Sequence, residues 1–146
     1  MLKVYLDNCC YSRPFDDLSQ EKVNLEEEAI ESILNKSIKN ELEIYTSIAI
    51  DFEISKIRDI NKKGQIEDLY DAMLSKNIEI TSEIISRAEE LKKYNIKVMD
   101  ALHISFAESA NVDYVITTDK NLLNGAKRAN LKTKVVNPIE FIMEVV

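Results

Sequence analysis

Residues 2–7 read Leu2-Lys3-Val4-Tyr5-Leu6-Asp7. Apart from Lys3 the first five are apolar, which suits a strand covered on both faces, and the run is too short for a helix. The carboxylate that ends it is out of place in such a run. Working outward, Leu42–Thr46, Ile78–Thr81, Tyr114–Thr117 and Lys134–Val136 have the same short, β-branched or aromatic character. Helical periodicity occupies about Ser19–Asn40, Ile48–Ile60, Gln65–Ser75, Ser82–Tyr94, Met99–Ala110 and Lys120–Ala129, with a short helix after Pro138. Strands alternating with helices predict βα units, hence an α/β fold on a parallel sheet. Asp16, Asp17 and Ser19 ahead of the first long helix, Ser82, Asp119 and Pro138 stand where helix caps or first-turn residues belong.

The chain has 146 residues, 45% hydrophobic, with no repeat or composition shift, and this predicts one domain over 1–146. Two Gly and two Pro exclude collagen-like and linker-rich readings. A net charge of −7 argues against a surface that grips nucleic acid everywhere, so any such contact is local. Cys9 and Cys10 are adjacent, with no other cysteine to pair with, which fits a reducing, cytoplasmic setting. No apolar run approaches the roughly 18 residues of a membrane span, and Met1-Leu2-Lys3-Val4 enters a strand rather than a signal peptide. A soluble, unexported protein is expected. Glu26-Glu27-Glu28 reads as a solvated helix face.

Four acids stand where a surface charge has no reason to be. Asp7 projects from the carboxyl end of the first strand, the edge where open α/β sheets place ligands, although a turn cap is the plainer account. Asp119 follows Tyr114-Val115-Ile116-Thr117-Thr118 in the same way and also suits a helix N-cap. Glu53 stacks at helical spacing with Ala49, Ile57 and Ile60, and Asp100 lies one turn before Ile104 in an almost wholly apolar helix. Both face inward, with ion pairs to Lys56 and Lys97 as the bland alternative. Like charges brought together ask for a cation. Oxygen donors suit Mg²⁺ or Mn²⁺, and the lack of a Cys/His cluster argues against structural zinc. Such a centre points to metal-assisted phosphodiester hydrolysis.

At Val4-Tyr5-Leu6-Asp7-Asn8, Ser47 to Glu53, Asp100-Ala101-Leu102-His103 and Thr117-Thr118-Asp119 the sequence resembles the PIN domain family, metal-dependent nucleases that include the VapC-type ribonuclease toxins. The resemblance covers nearly the whole chain. It implies a three-layer α/β/α fold with a parallel sheet of about five strands, and Asp7, Glu53, Asp100 and Asp119 as the acidic quartet for Mg²⁺ or Mn²⁺. It further implies RNA as substrate, a homodimer and, for a toxin, a protein antitoxin. Two departures stand out: Asn8 where Thr or Ser is usual, and Asn121 where a further acid is common, which leaves one-metal and two-metal schemes open.

Secondary candidates follow. Thr117 matches a family hydroxyl position suited to orienting a water, and Asn137 ends a strand at the same rim, with capping before Pro138 as its alternative. His103, one turn from Asp100, reads as a packing residue. Arg13 and Lys56 are substrate-binding candidates for a phosphate backbone, with Arg58, Lys62 and Lys63 adding positive charge; an ordinary solvated face is the alternative. Two rivals come from other classes. A catalytically weak PIN-like module acting through protein or RNA binding is favoured by the acidic surface and Asn121. A receiver-type phosphoacceptor needs an acidic pair after the first strand and an acceptor Asp after the third, where this chain has Asn8 and Thr81.

Overall fold

The computed structural model describes residues 1–145. In chain order the elements are β1 (Leu2–Leu6), α1 (Asn8–Ser12), α2 (Glu21–Ile38), β2 (Leu42–Thr46), α3 (Ile48–Ser55), α4 (Ile60–Ala72), β3 (Lys76–Asn77), α5 (Ser82–Leu91), α6 (Val98–Ser109), β4 (Tyr114–Ile116), α7 (Lys120–Lys127), β5 (Lys134–Val136) and α8 (Pro138–Val145). The strands form one five-stranded sheet in the order β3-β2-β1-β4-β5, every neighbouring pair parallel. This is the α/β/α arrangement expected. α2 packs on α8 and α5 on α6. Val4, Tyr5 and Leu6 are fully buried, so β1 is covered on both faces.

The strand order reverses between β1 and β4, because the chain winds outward through β2 and β3 and then returns to the other side of β1. A crevice opens at such a switch point beyond the carboxyl ends of the two strands. Asp7 ends β1 there, and its N–H donates to Ile116 O of β4 at 3.0 Å.

Four local expectations need correction. β3 is Lys76–Asn77, not Ile78–Thr81: parallel register sets Asn77 against Thr46, the last residue of β2, so beyond the Ile78 N–H to Thr46 O bond at 2.8 Å no neighbour is left. Thr81 instead caps α5 through Ile84 N–H. The helix expected over Ile48–Ile60 stops at Ser55, and a new one starts at Ile60 because the Asp59 carboxylate accepts Lys62 N–H. Ile60, counted into the inward face, is 84% exposed. A short helix, α1, follows Asp7 directly, with a 3₁₀ turn over Arg13–Phe15 after it. Finally, Glu26 is not on a solvated face: it is 2% exposed and accepts the Asn137 side-chain amide at 2.7 Å, with Arg13 Nη2 at 3.6 Å.

Candidate metal centre

Asp7 is held from two sides. One carboxylate oxygen accepts Asn8 N–H at 2.8 Å as the N-cap of α1, and the other accepts the Thr117 hydroxyl at 2.7 Å. The capping role and the strand-end placement therefore coexist. Asn8 contributes through its backbone rather than its side chain. Thr117 is fully buried, and its Oγ1 also accepts Asp119 N–H at 3.0 Å. Its hydroxyl proton is committed to Asp7, which makes it a strut between the ends of β1 and β4. Asp119 is half-buried and caps α7 through Asn121 N–H at 2.9 Å.

Glu53 sits in the last turn of α3, its side chain 23% exposed, and its partner is His103 rather than Lys56. The His103 Nε2 to Glu53 Oε1 distance is 2.5 Å, and Asp7 Oδ1 lies 3.6 Å from the same nitrogen. One ligand atom from each of Asp7, Glu53 and His103 falls within 4.8 Å of the others. Lys56 is exposed, with Nζ 5.0 Å from the Phe52 ring centre.

Asp100 enters from the first turn of α6, 9% exposed. Burial first, then the charges of Asp119 and Asp7 and, more weakly, Glu53 push its carboxyl up to about 6, against a lowering influence of His103. That pattern ties all four acids into one electrostatic group. Burial works against the charged form of His103, yet the bond to Glu53 and the charges of Asp7, Glu53 and Asp100 raise its pKa above the ordinary value.

The remaining candidates have partners of their own. Asn137 caps α8 through Ile139 N–H at 2.8 Å and gives its amide to Glu26. The Arg13 guanidinium bonds Asp16 at 2.9 Å and the Thr118 hydroxyl at 2.7 Å, which brings it to the rim beside Asp119 but ties it down; Lys62 likewise bonds Asp16, at 2.6 Å. Sequence reasoning set His103 aside and overlooked Tyr5 and Ser47, whose hydroxyls extend from the other nitrogen of that ring: Tyr5 Oη is 2.7 Å from His103 Nδ1 and 2.7 Å from Ser47 Oγ. Signals were present. His103 is three residues from Asp100 on one helix, and Tyr5 shares its strand face with Asp7.

The donor set fits a hard divalent cation: carboxylate oxygens from separate elements, mutually repelling and partly buried, at a switch-point crevice. VapBC2 from Rickettsia felis, solved bound to a DNA fragment from its promoter, has a similar fold, with TM-score 0.60 and 16% identity over 93% of this chain and 98% of that one. PAE2754 from Pyrobaculum aerophilum is similar at TM-score 0.50 and 15% identity, over 98% of this chain and 88% of that one. No curated protein matches the sequence. A family model described as PIN domain matches residues 4–128, from inside β1 to just past α7, so the chain belongs to the PIN domain family, whose members are generally nucleases.

Proposed function

We propose that this protein is a metal-dependent ribonuclease that hydrolyses RNA phosphodiester bonds, with Asp7, Glu53, Asp100 and Asp119 holding Mg²⁺ or Mn²⁺. The observation that carries the proposal is Asp100, whose carboxyl is driven up to about 6 by burial and by the other acids of the group. A carboxylate kept under that pressure, with the buried His103 ring as the one named influence acting the other way, is a ligand awaiting positive charge. Bound there, a divalent cation supplies Lewis-acid stabilisation of the charge that develops on the phosphodiester, and a more acidic water.

The chain's own residues do the positioning. Thr117 Oγ1–H and Asn8 N–H fix both oxygens of Asp7, and Asn121 N–H fixes Asp119, so two of the four carboxylates are oriented by the first turns of the helices that follow β1 and β4. Arg13, anchored at the rim by Asp16 and Thr118, places its guanidinium beside the centre for a substrate phosphate. Lys56, exposed beyond Glu53, offers a second, screened contact.

The likeness to VapBC2 favours a toxin role with a protein antitoxin as partner. A cytoplasmic homodimer belongs to the same proposal and rests on the family resemblance alone. The test is cleavage of a mixed RNA pool with Mn²⁺, Mg²⁺ or EDTA beside Asp100→Asn purified identically. Cleavage that requires metal and is lost in the variant supports the nuclease; equal inertness, or equal activity in EDTA, favours a binding module instead.

A further inference from the structure

Beneath the acids runs a continuous line of buried hydrogen bonds. Ser47, fully buried, accepts Ala49 N–H at 3.2 Å as the N-cap of α3. Its Oγ lies 2.7 Å from the hydroxyl of fully buried Tyr5, which lies 2.7 Å from Nδ1 of fully buried His103, whose Nε2 meets Glu53. Only one set of directions gives each neutral group a donor and an acceptor. Ala49 N–H donates to Ser47, Ser47 to Tyr5, Tyr5 to Nδ1, and the Nε2–H of His103 to Glu53. A charged ring also donates from Nε2, so the contact with Glu53 keeps its sense whatever the charge of the imidazole.

From this geometry we infer that His103 is a positioning residue: Tyr5 and Ser47 lock its ring so that Nε2–H holds one oxygen of Glu53, leaving the other free as a metal ligand. The inference rests on the metal-centre reading above. It also makes His103 a donor to the centre and not a ligand, although its Nε2 lies within ligand reach of Asp7 and Glu53. The device suits its place. Glu53 is on the last turn of a helix that stops at Ser55, and where Asp7 and Asp119 each accept a backbone N–H, its carboxylate is held by the side chain of His103.

The test is Mn²⁺ affinity measured by electron paramagnetic resonance on the full chain, with thermal melts alongside. His103→Leu removes the donor and should weaken binding roughly 10- to 100-fold, the range for loss of an outer partner of a ligand. His103→Gln puts an amide donor near the Nε2 position and should bind within about threefold of wild type. Tyr5→Phe removes only the hydroxyl that orients the ring and should weaken binding roughly two- to tenfold. Wild-type affinity in His103→Leu overturns the inference, as does an equal loss in Leu and Gln variants or a spin-echo signal from nitrogen bound directly to Mn²⁺. If His103→Leu does not fold, Tyr5→Phe decides: unchanged affinity there overturns the lock. Asp7→Asn separates the two levels. A wild type that binds no Mn²⁺ removes the centre itself, whereas wild-type binding that Asp7→Asn abolishes and His103→Leu retains removes only the role of His103.

Discussion

Helix α6 buries an acid at each end, and the two are treated in opposite ways. Asp100, in the first turn, is 9% exposed and faces Asp119, Asp7 and Glu53. Glu108, in the last turn, is 7% exposed and is bracketed by Arg87, at 2.7 Å from Nε and 3.3 Å from Nη2, and by Lys132 N–H at 2.8 Å. The helix dipole would favour the reverse, since a carboxylate is stabilised at the N-terminus and opposed at the C-terminus. Close charges outweigh it. Arg87 also donates to Asn130 O at 2.9 Å, so the ion pair fastens the segment between α7 and β5 to α5 and α6. A buried charge that is compensated fastens elements together, whereas one left among like charges is a candidate for a site.

The contrast can be broken first by activity. Asp100→Asn should reduce metal-dependent cleavage roughly 1,000-fold, the order expected when several kcal/mol of charge stabilisation is lost. Single-turnover assays on a labelled RNA check this; a variant within tenfold of wild type breaks the functional half of the contrast. Stability should then run the other way. Arg87→Met leaves Glu108 buried without its cation and should cost about 2–4 kcal/mol in urea melts, with cleavage unchanged. Loss under 1 kcal/mol would mean that Lys132 N–H alone suffices.

A finer test uses pH. The folded Asp100 carboxyl titrates near 6, above the ordinary value of 3.8, so from pH 4 to 6 the unfolded chain releases that proton while the folded chain retains it. Wild type should therefore lose about 1–3 kcal/mol relative to Asp100→Asn as pH rises through this window, then hold the deficit. Mn²⁺ at a hundred times its Kd should return about 2.7 kcal/mol to wild type at pH 7. The smallest effect concerns Glu26, an intermediate case with Asn137 and Arg13 as partners: Asn137→Ala should cost about 1 kcal/mol as a lost cap and lost partner, without altering cleavage.

Much of this was legible along the chain because periodicity and strand-end position are local properties. Four of the five strands lie where the apolar runs place them, and Asp7 and Asp119 close β1 and β4 as read. Failures occurred where a distant neighbour decides. Ile78–Thr81 has strand composition but runs past the end of β2, and the Ala49, Ile57, Ile60 spacing continues a helix that in the fold stops at Ser55, with Asp59 capping a new one. Glu26 looked like surface because its partners are Arg13, thirteen positions away along the chain, and Asn137, which is 111 away.

The sequence by itself determined the alternation of β and α, the parallel sheet and the acids at its rim, since those depend on spacing within a dozen residues. Only tertiary structure decided which acids stay uncompensated. Glu108 meets Arg87 at a separation of 21 residues, Glu53 meets His103 at 50, and Asp7 meets Thr117 at 110. Charge and hydrogen-bond energies fall off over a few ångströms, so whether a buried carboxylate is a fastening or a site depends on what the fold brings within that distance.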